Sequence, residues 1–162
     1  MTQNVQRCAE ISLPALQTLL GAYGLQVAML PENADIPGSY WGAPEAGLVL
    51  DTLYIRPDTP THSALHEAGH WICMDDARRA KLHTDAGGTV LEECAVNYLQ
   101  ILLAEALPDV GCEQMLRDMT TWGYSYREGS VYAWLEGDAA DAIAWLQQRG
   151  LIDAQRQRIT HR

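Results

Sequence analysis

The chain has 162 residues, of which 48% are hydrophobic and 20% are charged, and its formal net charge is −10 at pH 7. This composition is typical of a soluble protein that buries a real core, so we expect one domain over residues 1–152 and a polar C-terminal tail over residues 153–162. The acidic balance argues against a nucleic-acid partner, which needs a basic patch, and against an anionic membrane surface.

The sequence shows no targeting or membrane-spanning segment. Residues 1–11 lack a charged region followed by an apolar run, so no signal peptide is predicted. The longest apolar stretch, residues 19–30, is too short to cross a bilayer and contains two glycines. The four cysteines form no C-x-x-C pair. A reduced, cytoplasmic protein is the simplest interpretation, and the oligomeric state stays open.

The first third of the chain predicts one helix and a small sheet. Ser12 is a suitable N-cap, and leucines at helical spacing follow it over residues 13–21 or 13–24. Residues 25–30 form a short β-compatible run, and residues 47–56 form the best predicted strand. We expect a sheet of about three strands, mostly antiparallel because the connections are too short for helical crossovers.

The segment His66-Glu67-Ala68-Gly69-His70 is an H-E-x-x-H motif on a predicted helix, for which Thr59 or Thr61 is the expected cap. With about 3.6 residues per turn, the two imidazoles lie on one face and can hold one metal ion. Glu67 lies beside them as a candidate general base. Zinc suits this arrangement because a catalytic site uses three protein ligands and leaves a position for water. Gly69 is small enough for another backbone to come close.

A second helix after the motif offers a third ligand. Residues 80–89 form an expected loop that ends at Thr89, a suitable N-cap, and residues 90–107 carry a wide apolar stripe at helical spacing. This helix has Glu92 and Glu93 near its start. Glu92 shares a face with the apolar stripe, where a charge needs a metal or another partner. The residues alone therefore leave both glutamates open.

This pattern of an H-E-x-x-H helix followed by a glutamate helix resembles the gluzincin metallopeptidases and the compact immunity-repressor type of zincin. The resemblance covers residues 48–103 and implies a small sheet, an active-site helix and a glutamate helix. It implies that the motif histidines bind zinc and that Glu67 is the base. It favours Glu93 over Glu92, because Asn97 follows Glu93 by one turn, where gluzincins place an Asp or Asn that orients a ligating histidine.

A second, narrower resemblance points to different chemistry. Ser63-Ala64-Leu65-His66-Glu67, His70-Trp71 and Ala77-Arg78-Arg79 are similar to segments of the bacterial elongation factor P hydroxylase family, where such a motif supports metal-dependent oxygen chemistry. Two histidines and a carboxylate also form the facial triad of non-heme iron oxygenases. A non-heme iron hydroxylase is therefore one alternative function. Another is a regulatory or binding module whose metal site is idle, or structural and closed by Cys73.

The C-terminal part is predicted to be mainly helical. Pro108 ends the glutamate helix, and a further helix is expected over residues 112–121. Residues 122–126 form an aromatic turn. Asp138 is the expected cap of a final helix, which Gly150 stops. These helices form the predicted cap on the zincin-like core.

Hydrolysis also needs a donor for the developing oxyanion. Tyr124, Tyr126 and Tyr132 follow the glutamate helix, and we select Tyr124 as the candidate. His62 lies one turn before the motif, where we expect an exposed first-turn histidine. His83 lies in the predicted loop between the two ligand helices. In the zincins that the chain resembles, an edge strand pairs with extended peptide substrate, a role that residues 47–56 can fill unless both edges are covered.

We therefore expect an α+β fold with a minimal zincin-like core: a small, mostly antiparallel sheet, the H-E-x-x-H helix, the glutamate helix and a helical C-terminal cap. The predicted function is zinc-dependent hydrolysis of a peptide or amide bond in a peptide or protein substrate. Zn²⁺ is the predicted cofactor, with Fe²⁺ as the alternative. The predicted metal ligands are His66, His70 and Glu93, and the predicted catalytic residues are Glu67 and Tyr124.

Overall fold

Helices make up most of the fold and accompany a small sheet, in a computed structural model that describes residues 4–39, 42–81, 89–124 and 130–160. The helices in this part of the chain are α1 (Leu13–Gly21), α2 (Thr61–Cys73), α3 (Asp76–Arg79), α4 (Val90–Glu105), α5 (Gly111–Trp122), α6 (Val131–Gly137) and α7 (Ala140–Gln148). The strands are β1 (Gln26–Met29), β2 (Gly47–Val49) and β3 (Thr52–Ile55). The predicted α+β class is confirmed.

Polar caps set the starts of several helices. The hydroxyl of Ser12 accepts a hydrogen bond from the third residue of α1, and that of Thr89 accepts one from the third residue of α4, as predicted. The expected cap of α2 is wrong: Pro60 is the N-cap, and no side chain caps the helix. Thr59 instead accepts a hydrogen bond from the backbone N–H of Arg56, at 2.8 Å, and so stabilises the turn between β3 and α2.

The sheet is mixed, with strand order β1-β3-β2. β2 is antiparallel to β3, whereas β1 is parallel to β3. The single strand predicted over residues 47–56 is in fact a hairpin, because Leu50 and Asp51 form a turn in which Leu50 has a φ of 54°. β2 therefore runs back to the end of the sheet at which β1 begins. β3 starts from that end, so it runs parallel to β1 without a helical crossover. The expectation of a mostly antiparallel sheet is corrected accordingly.

Residues 37–39 lie against β2, the edge strand on one side of the sheet. A Cβ atom added to Gly38 would collide with the backbone of Leu48, and one added to Gly47 would collide with the backbone of Pro37 and Ser39. Only glycine permits backbones to approach this closely, and Gly38 also has a φ of 73°. This approach covers the start of β2, which is part of the segment for which the sequence left open whether an edge is free to pair with a substrate strand.

The two predicted ligand helices, α2 and α4, cross at Gly69. A Cβ atom at this position would lie 3.0 Å from Cγ1 of Val96 and 3.4 Å from its carbonyl oxygen. The prediction of a close backbone approach at Gly69 is therefore confirmed. Around the crossing, Leu65, Ile72 and Leu99 are completely buried. This packing fixes one face of α2 against the first half of α4 and leaves little freedom in their relative position.

Two C-terminal helices, α5 and α7, also pack against α4. Ala142 and Leu146 of α7 are buried there in the common core. The cap of α7 is Ala139 and not Asp138, and α6, which the sequence did not predict, precedes it. Beyond α7 the chain is held against the domain, because a terminal guanidinium nitrogen of Arg158 donates to the hydroxyl of Tyr23 at 3.2 Å. No helix in the described ranges has the length and apolar character to cross a membrane.

Candidate metal centre

His66, His70 and Glu93 meet at the crossing of α2 and α4. Nε2 of His66 lies 2.7 Å from Oε1 of Glu93, and Nε2 of His70 lies 3.1 Å from Oε2. The two Nε2 atoms are 3.2 Å apart. Ligands at about 2.1 Å from a tetrahedral zinc ion are separated by about 3.4 Å, so these atoms would have to move apart by up to about 0.7 Å to hold such an ion. The structure thus brings together the three predicted ligands.

The proton positions on His66 follow from its contact with Gln100, a completely buried residue of α4. The Gln100 amide nitrogen lies 3.1 Å from the carbonyl oxygen of His62, which can only accept a hydrogen bond. The side-chain oxygen of Gln100 must therefore face Nδ1 of His66, at 3.0 Å, and accept its proton. In neutral His66 this leaves the lone pair on Nε2, the atom that faces Glu93 and His70.

Electrostatics at the cluster favours a positive charge between the three side chains. Burial raises the pKa of Glu93, but hydrogen bonds from His66 and His70 outweigh this effect and hold the pKa well below its usual range. Burial lowers the pKa of His66, but its hydrogen bond and charge interaction with Glu93 reverse the shift and raise it. A proton or a divalent cation can supply the charge. Two imidazole nitrogens and a carboxylate are a donor set that fits zinc.

Glu92 points to a different partner. Its two carboxylate oxygens accept hydrogen bonds from the two terminal nitrogens of Arg78, at 2.8 and 3.0 Å. The pair explains how Glu92 can lie on the buried face of α4 with an exposure of only 6%. Between the two glutamates that the sequence left open, the structure therefore places Glu93 beside the histidines and Glu92 in an ion pair.

The resemblance implied that Asn97 orients a motif histidine, but Gln100 forms the hydrogen bond with His66. Asn97 is nearly buried, but its Oδ1 atom has no hydrogen-bond partner in the described part of the chain and does not bond to a motif histidine. Gln100 lies in an apolar run of α4, between Leu99 and Ile101. A lone amide in such a run needs a buried partner, and this was the signal that sequence reasoning missed.

An open cavity of about 310 Å³ lies beside the cluster. Its lining includes Glu67, which is partly buried next to the ligand histidines. Burial raises the pKa of Glu67, and the negative charges of Glu93 and Glu45 act in the same direction. The charges of His66 and His70 lower it, but the net shift is an increase. The candidate base therefore lies in the cavity with an increased affinity for a proton, as a group that accepts and later returns a proton requires.

Tyr124 also lines the cavity, and its ring meets that of His66 edge-on at a centroid distance of 5.8 Å. Its hydroxyl lies 3.1 Å from Nδ1 of His62 and accepts a hydrogen bond from the Gln100 amide at 3.3 Å. Tyr132 lies elsewhere and donates to Glu113 at 3.4 Å. Of the three tyrosines considered, Tyr124 is thus at the site and Tyr132 is not. The third, Tyr126, lies outside the described residues, as does His83 of the predicted loop.

His62 is not the exposed histidine that its first-turn position suggested. Only 1% of it is exposed, because the ring of Trp122 packs against it at a centroid distance of 4.8 Å and Tyr124 meets it edge-on. Burial, together with the charges of His66 and Arg7, lowers the pKa of His62 to about 3. His62 is therefore a neutral, buried member of the hydrogen-bonded network that also contains Gln100.

Cys73 does not join the candidate ligands. Among the described residues, the group whose ligand atoms all lie within 4.8 Å of one another is His66, His70 and Glu93. Cys73 is buried at the C-terminal end of α2. Structural zinc sites are closed by four protein ligands, and Cys73 does not supply a fourth ligand to this group of three.

If zinc occupies this cluster, replacing Gln100 with Met should lower the zinc affinity by about 10- to 100-fold, the usual cost of losing an outer partner of a ligating histidine. Met has a similar shape but cannot fix the proton on Nδ1 of His66. Ile101→Met, one position along α4, is the matched control and should leave the affinity unchanged. Competition with a chromogenic chelator measures both, and equal affinities in the two variants would contradict this role for Gln100.

Comparisons with protein-family models, with curated proteins and with solved structures found no match for this chain. The resemblance to zincins therefore rests on the H-E-x-x-H motif and on the glutamate that follows it. The geometry of the described residues is the further basis for a function.

Proposed function

We propose that this protein is a metal-dependent hydrolase that cleaves a peptide or amide bond. The observation that carries the proposal is the convergence of His66, His70 and Glu93 on one point, with Glu67 beside them in an open cavity. In the proposed site the first three residues hold Zn²⁺, and Glu67 is the general base. The substrate is a peptide or a protein, which reaches the site through the cavity.

When bound, zinc acts as a Lewis acid and lowers the pKa of a coordinated water to about 7. Glu67 accepts a proton from the attacking water and returns it to the leaving amine, for which its raised pKa is suited. Gln100 holds His66 in the tautomer whose Nε2 carries the lone pair. Cleavage therefore uses one carboxylate for proton transfer and a different one, Glu93, as a ligand.

Tyr124 is the proposed donor to the oxyanion. The Tyr124 hydroxyl lies within hydrogen-bond distance of both His62 Nδ1 and the Gln100 amide nitrogen. With a proton on His62 Nδ1, the Tyr124 oxygen receives two N–H donors, one from His62 and one from Gln100. Two such donors also make the phenol a stronger hydrogen-bond donor. This arrangement supports a role in which Tyr124 stabilises the negative charge that develops on the carbonyl oxygen.

The same ligand set is found in non-heme iron oxygenases, so the metal must be identified directly. Glu67 favours hydrolysis, because a second carboxylate next to the ligands has a clear task in activating water. An oxygenase reaction gives it no such task. Protein purified without added metal should contain about one zinc per chain by elemental analysis.

The zinc-loaded protein should cleave members of a mixed library of internally quenched peptides. Removal of zinc by a chelator should abolish cleavage, and added zinc should restore it. Iron together with oxygen consumption would replace this proposal by the hydroxylase alternative. Bound zinc without any metal-dependent cleavage would support a regulatory module with an idle site.

A further inference from the structure

Glu45 lies at the cavity, on the segment that leads into β2, and its backbone is held on several sides. Its carbonyl accepts a hydrogen bond from the hydroxyl of Ser39 at 3.0 Å, and its N–H donates to the carbonyl of Gly42 at 3.1 Å. The N–H of the next residue, Ala46, donates to the hydroxyl of Ser63 on α2 at 3.0 Å. These bonds fix the position of Glu45 relative to the metal-binding helix.

The cavity lining carries more carboxylates than the neighbouring histidines can match. Three of its lining residues are glutamates, Glu45, Glu67 and Glu93, and no lysine or arginine of the described ranges lines it. Glu93 is matched by the two histidines, and Glu67 has a task in proton transfer. The carboxylate of Glu45 forms no hydrogen bond or ion pair with the part of the chain that the structure describes. A carboxylate without a partner, in a cavity that no lysine or arginine of the described ranges lines, attracts a cation.

Two further features of the lining suit the N–H groups of such a cation. Asn97 is 8% exposed, and its side-chain oxygen has no donor among the described residues. A buried acceptor is normally satisfied, and this oxygen has almost no accessible surface, so the Asn97 side chain must turn toward the cavity to meet a donor that arrives with a ligand. The rings of Trp122 and Tyr124 also line the cavity, and aromatic faces attract ammonium and guanidinium groups.

We propose that the cavity selects substrates with a positively charged group, a protonated amine or a guanidinium, beside the bond that is cleaved. Glu45 is the counter-ion of this group, and the side-chain oxygen of Asn97 accepts one of its N–H bonds. The reference to a cleaved bond rests on the proposed function, but the selection of a cation can be tested by binding alone. A basic side chain and a free N-terminal amine are the two sources of the charge.

Two ligand pairs separate these sources, with binding to the purified protein measured by calorimetry. N-acetyl-argininamide and N-acetyl-citrullinamide differ in the charge of the side chain, and alaninamide and N-acetyl-alaninamide differ in the charge of the amine. The cation of at least one pair should bind about tenfold more tightly than its neutral partner. In Glu45→Gln this advantage should fall by about fivefold or more, the scale of a partly buried ion pair. Glu136→Gln removes an exposed carboxylate outside the cavity and should change nothing.

Equal binding within both pairs, including no detectable binding of any ligand, would overturn the inference. An advantage that survives in Glu45→Gln would also overturn it. The results that would contradict the proposed hydrolase function differ from those that would contradict this selection of a cation. Charge-selective binding without cleavage of any peptide would contradict the proposed function alone, whereas metal-dependent cleavage without a preference for basic peptides would contradict this inference alone.

Discussion

Replacing Glu67 with Gln should slow peptide cleavage by about 10²- to 10⁴-fold, the usual contribution of a general base, while zinc stays bound. Gln has nearly the same shape as Glu but cannot accept the proton of the attacking water. Because Glu67 is not among the three grouped ligands, the zinc content should stay near that of the wild type. Steady-state rates on a cleaved peptide, measured together with elemental analysis, test both parts of this expectation.

Glu136→Gln is the matched control for Glu67→Gln, since it makes the same chemical change at an exposed position of α6. Its rate should equal that of the wild type. Wild-type turnover in Glu67→Gln would show that another group activates the water. A loss of zinc from Glu67→Gln would instead mean that Glu67 contributes to the binding of the ion.

The second large effect is expected from two adjacent residues of α4. Glu93→Gln should lower the zinc affinity by more than about 100-fold, because the loss of a ligand costs more than the loss of its outer partner. Glu92→Gln should leave the affinity unchanged, since Glu92 contacts Arg78 and is not one of the three grouped residues. It should lower the free energy of unfolding by about 1.5–3 kcal/mol, the scale of a hydrogen bond to a charged group.

Chelator competition and urea unfolding of both glutamate variants separate these outcomes. Each variant is the control of the other, since both lose one carboxylate from the same turn of the same helix. If Glu92→Gln lost the zinc and Glu93→Gln kept it, the ligand set would be wrong. If both kept it, His66 and His70 would have to bind the ion with a group other than these glutamates.

The first predicted helix shows how far local sequence signals reach. An N-cap at Ser12 and leucines at helical spacing predicted α1, and its observed start confirms that prediction. The hairpin at Leu50 and the parallel pairing of β1 with β3 were missed. A run of β-compatible residues gives no sign of where a strand turns, and the direction of pairing depends on strands distant in sequence.

The sequence by itself determined the face that carries His66 and His70, because residues four positions apart on a helix always lie together. It also determined that α2 and α4 can approach closely, since Gly69 has no Cβ. It did not determine which glutamate of α4 joins the histidines. That choice depends on the rotation of α4 about its axis, which the packing of Val96 against Gly69 sets.

Only the tertiary structure decided the surroundings of the candidate ligands. Gln100 orients His66, and the carbonyl that orients Gln100 belongs to His62, on the other helix. His62 is buried because Trp122, at the end of α5, packs against it. Each of these contacts joins residues far apart in the chain, whereas helical periodicity describes only neighbours within a few turns. The physical reason is that a hydrogen bond between two helices depends on their packing, which no local pattern contains.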